Sequence, residues 1–342
     1  MPVLGLDLND AALSLAAASE AGPDLLESDG QHLSAGYAGR DGLSGNAARA
    51  QARRSPQSVS DAVWENLGDE PASALGAGLG ASWQELARTH LTALHAQAPA
   101  GAPVLLAVPE NWIQSGHYRR ALDAASGAGL PVAGVISRAL AACALGHEQG
   151  LAPGAPVLHL DLTRAEAVLS TLHYEGQSLR TAATPLPVPA SGYRALEDAL
   201  MQGLDGRLAE ESGMLPSEDP ELEQALYDQL PQLLATLANA PSATITAGTT
   251  RLSLTREDAA AFCRKLVPRL VKVVEAACVE AGGKGSRLLK LGAFAAQVPG
   301  LREELGKVRG LVIEALPPGH AACGAAHLGH ALGLGAADEP SA

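Results

Sequence analysis

Aromatic side chains are scarce, at 3% of 342 residues, so a core of this size has to be built from Leu, Val and Ala; the hydrophobic share is nonetheless 47%. Long apolar runs are missing too. Nothing approaches the ~20 consecutive residues of a bilayer-spanning helix, which speaks against direct membrane insertion. Cysteine is limited to Cys143, Cys263, Cys278 and Cys323, far apart and without a C-x-x-C pair, which reads as small buried apolar residues and not as metal ligands. Positive charge is in deficit, with 24 Lys and Arg against 37 Asp and Glu for a net charge of −13, which argues against wide contact with nucleic acid. The opening MPVLGLDLND lacks a basic leader-like segment and starts a strand pattern at once, so the expected location is cytoplasmic. Finally, no G-x-S-x-G, P-loop or dinucleotide-type G-x-G-x-x-G is present.

What is present is a recurring design. In 157–176, VLHLDLTRAEAVLSTLHYEG, an apolar strand ends at Asp161, turns through Thr163–Arg164 and continues as a second strand. Residues 3–19 do the same around Asp7. Segment 45–68 reads as a polar helix, a Ser-Pro break and a short helix; 76–80 as a glycine-rich loop; 82–97 as an amphipathic helix. A buried strand ends at Pro109, a helix covers 115–128 with Ser115 as its N-cap, and the strand PVAGVIS leads into the helix RALAACALGHEQ before a break at Pro153–Gly154. Beyond a Pro-rich crossing at 181–191 come helices at 192–212 and 220–239 and a strand pair in 241–254. Thr255 opens one long helix to about Ala281 by a capping-box-like start. A strand at 287–292, a helix at 299–307, a strand at 311–314 and a helix in PPGHAACGAAHLGHAL close the chain, with 335–342 expected to be disordered. Hairpins followed by strand–helix units, twice over, predict an α/β protein with a mixed sheet in each of two lobes.

This order resembles the actin-like ATPase superfamily, in particular the nucleotide-binding domain of heat-shock seventy-kilodalton (DnaK-type) chaperones. LGLDLND is similar to that family's G-I-D-L-G-T-T, and PVLLAVPENWIQSGHYRRALDAASGAGLPVAGVISRALAACALG to its long V-P-A…A-G-L…N-E-P-T-A-A block. GNAARAQARRSPQSVSDAVWENLG, LKLGAFAAQVPGLREEL and HAACGAAHLGHAL follow the family's further segments in the right order over most of 3–333. The resemblance implies two lobes with a duplicated ribonuclease-H-like core. Lobe I would span 1–150, with core 1–35 and 100–150 around a helical insert 36–99. Lobe II would span 151–334, with core 151–200 and 255–334 around a reduced insert 201–254.

It also implies a cleft for ATP or ADP with Mg²⁺ between the two hairpin turns, formed here by Asp7, Asn9, Asp10, Asp161, Thr163, Arg164, Arg138 and Gly292. Glycine turns let backbone N–H groups approach phosphate, and strand-end carboxylates organise the cation. Here the glycines of both turns are replaced by side chains, the family's catalytic Glu falls on Arg138, and its catalytic Lys falls near Val63–Trp64. The adenosine-side glycine motif has become Gly292 to Pro299, and residues 217–250, where a basic helix would clamp the base, contain no Lys or Arg. Each such loss typically removes several kcal/mol of transition-state stabilisation. The expectation is a pseudo-ATPase without catalytic residues, acting as a binding or regulatory module for a protein partner. No counterpart of the family's peptide-gripping β-sandwich follows the closing helix in this sequence. Two alternatives stay open: a divergent ATP binder using Arg138 and Arg164 for phosphate, and an actin-like assembly platform of a pilus or secretion machine.

Three other groups read as ordinary surface or packing: His117 to Arg120 and the cluster Arg49, Arg53, Arg54 as solvated helix faces, and His320, Cys323, His327 and His330 as packing or exposure without the carboxylate and partner motif of a metal site.

Overall fold

The computed structural model describes residues 1–27, 30–72, 81–145, 155–175, 178–280 and 287–335. The glycine-rich loop at 76–80, the break at Pro153–Gly154 and all but the first residue of the tail lie outside them.

The first half runs β1 (Val3–Asp7), β2 (Ala12–Ser19), β3 (Gly22–Leu25), β4 (Ser34–Ala35), β5 (Ala38–Gly39), α1 (Gly45–Arg49), β6 (Val59–Ser60), α2 (Trp83–His95), β7 (Val104–Val108), α3 (Glu110–Ser115), α4 (Tyr118–Gly127), β8 (Val132–Ser137) and α5 (Arg138–Ala144). The second runs β9 (Pro156–Leu162), β10 (Glu166–Glu175), β11 (Ser178–Thr181), β12 (Leu186–Pro189), α6 (Tyr193–Ser212), α7 (Pro220–Asn239), β13 (Ser242–Ala247), β14 (Thr250–Thr255), α8 (Arg256–Phe262), α9 (Val267–Glu280), β15 (Arg287–Leu291), α10 (Ala293–Ala296), α11 (Leu301–Leu305), β16 (Leu311–Ala315) and α12 (His320–Ala331).

Two mixed sheets flanked by helices result. Their orders are β3-β2-β1-β7-β8 and β11-β10-β9-β15-β16, each an antiparallel meander extended by two parallel strands. The strands β1, β7 and β9 are buried along nearly their whole length, as strands covered on both faces should be. One core gathers the three tryptophans, Trp64, Trp83 and Trp112, around sheet one. The other is Leu-rich and holds Tyr193, Tyr227 and Phe294. No helix among the described residues is long and apolar enough to cross a membrane.

The halves exchange cover. α5 places Ala139 and Cys143 on Val157, Leu172 and Leu288 of sheet two, while α12 returns to lie on β1 and β2 of sheet one. The crossing is made by small residues. A Cβ at Gly324 would run into the carbonyl of Ala141, and one at Gly5 into the backbone of α12. The Ala and Gly of these segments therefore have a packing role.

Several elements differ from the sequence-based expectation. The helix expected at 115–128 is α4 and starts later, at Tyr118; the separate α3 precedes it and is ended by Gly116 in a left-handed conformation (φ 78°), so Ser115 is the last residue of α3 and not an N-cap. The long helix from Thr255 divides into α8 and α9, since Pro268 has no N–H to donate and its ring would clash with the carbonyl of residue 264 in a continuous helix. The capping box of Thr255 with Asp258 is present, as is one of Ser82 with Glu85 at α2. Residues 61–68 form turns instead of a short helix, and the Pro-rich crossing contains β12, paired with β10. In β12 the prolines alternate with ladder residues, an arrangement an edge strand accepts.

Candidate functional site

The expected site residues meet where the two sheets face each other. Asp7 ends β1 and Asp161 lies near the end of β9; both carboxylates are buried. Arg138, the first residue of α5, lies between them. Its Nε is 2.6 Å from Asp7 Oδ1 and its Nη1 pairs with Asp161 Oδ2. The other Asp161 oxygen accepts from the Leu162 N–H at 2.9 Å. Gly292 is required at this point, because a Cβ would strike the Asp161 carboxylate.

The first turn folds on itself: Asn9 Oδ1 accepts from the Ala11 N–H at 2.9 Å, and its amide donates to the Leu162 carbonyl across the interface at 3.0 Å. Asp10 accepts from the Arg164 N–H at 2.6 Å. Burial pushes the Asp10 carboxyl up to about 7, with Glu65 adding to the shift and Arg164 opposing it. Thr163 turns inward to bond Glu166 within its own hairpin.

Arg164 is the second anchor. Its side chain is 3% exposed, so its charge needs compensation inside the protein. Nε meets Asp61 Oδ2 at 2.6 Å, Nη1 pairs with the buried Glu197 of α6, and Nη2 donates to the Tyr37 hydroxyl at 2.7 Å. Tyr227 of α7 donates to the same Glu197 at 2.6 Å and touches Tyr37 Oη at 2.6 Å. Asp61 is shared with Arg194, whose Nη2 reaches Glu65 at 2.8 Å. Burial resists ionisation of Asp61, but Arg164 and Arg194 outweigh it and lower its pKa.

The cluster Arg49, Arg53, Arg54 is part of the same interface and not a solvated face. Arg49 pairs with Glu197 at 3.2 Å and lies over the Tyr227 ring, its guanidinium carbon 4.1 Å from the centroid. Arg53 faces Asp198 and Glu223, and Arg54 pairs with Glu221 at 2.7 Å. His117 and Arg120 are likewise engaged, bonding the carbonyls of Trp64 and Leu67 at 2.7 Å each. Val63 and Trp64 are fully packed in the first core. Among the described residues no group of His, Cys, Asp or Glu forms a metal site, the C-terminal histidines included.

Sequence reading missed the partners: Tyr37, Asp61, Glu65, Arg194, Glu197 and Tyr227. One signal was available. In α6 the buried positions are Tyr193, Leu196, Glu197, Leu200, Met201, Leu204 and Leu208, so Glu197 interrupts an apolar stripe and demands a cation.

The residues present do not fit a Mg-nucleotide. Both strand-end carboxylates already hold a guanidinium, and Phe294 is packed against Tyr193 with ring centroids 4.6 Å apart. A cavity of about 320 Å³ remains at the interface mouth, lined by Tyr37, Arg53, Asp61, Arg164, Arg194 and Asp198 among others. Each of its three arginines is paired with a carboxylate. Comparison with known proteins gave neither a family model nor a curated protein that matches this chain.

Proposed function

We propose that this chain is a degenerate relative of the DnaK-type nucleotide-binding domain, an actin-like two-lobed protein that has given up ATP turnover and serves as a non-catalytic binding or regulatory module. The repeated strand order supports the fold assignment, since two sheets of order 3-2-1-4-5 related by duplication are what the resemblance implies. The observation that carries the functional reading is Arg138 seated on Asp7 and Asp161 together. A divalent cation would have to displace a guanidinium from two buried carboxylates, leaving Arg138 buried and unpaired, a loss on the order of 3–5 kcal/mol.

The rival reading, Arg138 and Arg164 as phosphate ligands, is disfavoured by the same pairing, because a phosphate would meet cations whose charge is already balanced. Titration calorimetry with Mg-ATP tests the proposal. The expected result is no saturable heat at nucleotide concentrations up to the millimolar range. Micromolar binding that disappears in Arg164→Ala would overturn it in favour of the rival.

A further inference from the structure

A separate cavity of about 560 Å³ opens on the second half, between α6 and the α8–α9 junction. Its wall is largely apolar, with Ala195, Ala199, Phe262 and Leu266 contributing, and its basic members are Arg264, Lys265 and Arg269. Volume and lining fall in the range of small-ligand sites, which are mostly apolar with a few fixed polar groups.

The electrostatics of this cavity differ from those of the interface. The arginines of the interface all have carboxylate partners, in a protein whose net charge is −13. Among the described residues the side chains of Arg264 and Lys265 have no ion-pair or hydrogen-bond partner. The carboxylate in the cavity wall, Asp198, faces Arg53 at 3.6 Å. Arg269 is pinned at the rim by the carbonyls of Pro189 and Ala190, and Ala190 is held there in a left-handed conformation (φ 52°) that a non-glycine residue rarely adopts. Gly203 shapes the floor: any side chain at that position would strike the Phe262 ring.

We propose that this cavity binds a small organic anion, its apolar body against Phe262, Leu266 and the alanines and its oxyanion head between Arg264 and Lys265. The site is distinct from the interface network and does not depend on the reading given above for that network. A fluorescent pair isolates the two halves of the claim: 1-anilinonaphthalene-8-sulfonate, and N-phenyl-1-naphthylamine, the same body without the sulfonate. On the full chain the sulfonate is expected to bind saturably at one site, about tenfold or more tighter than the neutral compound. The Arg264→Ala/Lys265→Ala variant, whose removed side chains hold nothing else, is expected to lose that tenfold preference while keeping its melting temperature and its affinity for the neutral compound. Ala199→Trp, which fills the cavity, should abolish one-site binding of both. Equal affinity for the two compounds, or sulfonate binding unchanged in the double variant, overturns the proposal.

Discussion

The two halves repeat one strand order, yet each closes the space between them with a different kind of arginine. The first half sends out Arg138 from the start of a helix, on to strand-end carboxylates of both sheets. The second sends out Arg164 from the hairpin turn itself, into the carboxylates and hydroxyls of the flanking segments of both halves. The two halves thus share a strand order and a strand-end Asp, while their turns differ: Asn9 donates its amide to the Leu162 carbonyl and Asp10 accepts from the Arg164 N–H across the interface. Each of the two arginines is neutralised by one acid of its own half and one of the other, so neither set is balanced alone.

The largest expected effect comes from removing the turn donor. Arg164→Ala leaves Glu197 buried with only Arg49 and Tyr227 and strips Asp61 of one of its two arginines. Breaking one partner of such a buried set costs about 3–5 kcal/mol, measurable by urea unfolding. A cost below 1 kcal/mol would mean the second half does not depend on its turn. Combining it with Glu197→Gln should recover part of the loss, because the uncompensated carboxylate is then gone.

Asp10→Asn tests the other turn and its pH dependence. The Asp10 carboxyl is pushed from 3.8 to about 7, so the folded protein keeps a proton that the unfolded chain releases. Its contribution is thus fully present below pH 4 and lost as pH rises through 7. Asn keeps the acceptor for the Arg164 N–H and cannot ionise. The variant should gain stability over the parent at pH 8, and more there than at pH 5, by on the order of 2 kcal/mol. A gain that is flat with pH would remove Asp10 from the balance.

The smallest effect is expected at the rim. The Arg54–Glu221 pair has side chains 35% and 73% exposed, so Arg54→Ala should change stability by less than about 1 kcal/mol, and by less still in high salt. A loss comparable to that of Arg164→Ala would show that the interface is not organised around its buried centre.

Much of this was legible in the sequence. The two hairpins, their terminal aspartates, the helices at 193–212 and 220–239 and the Thr255 cap follow from alternation, apolar stripes and capping chemistry, which are local signals. The short edge strands β3, β11 and β12 were not, because strands of four residues carry little periodicity and exist only through the neighbour they pair with. Arg138 and Arg164 were identifiable as side chains standing where a glycine turn and a carboxylate were expected. The partners of Arg164 were not: Asp61, Glu197 and Tyr227 lie 33 to 103 residues from it in the chain, and Arg49, Arg53 and Arg54 look like any solvated helix until the opposing acids of α6 and α7 are in place.

The reciprocal cover of the sheets has a consequence for how the protein is made. Sheet one is roofed by α12, whose residues 320–331 follow every other element of the second half in the chain. The first half thus waits, with Ala16 and Ala18 short of their final neighbours Ala322 and Ala326, until the whole second half has been made. A nascent chain halted before His320 should remain sensitive to protease in both halves, and become resistant in both at once when the closing helix is released.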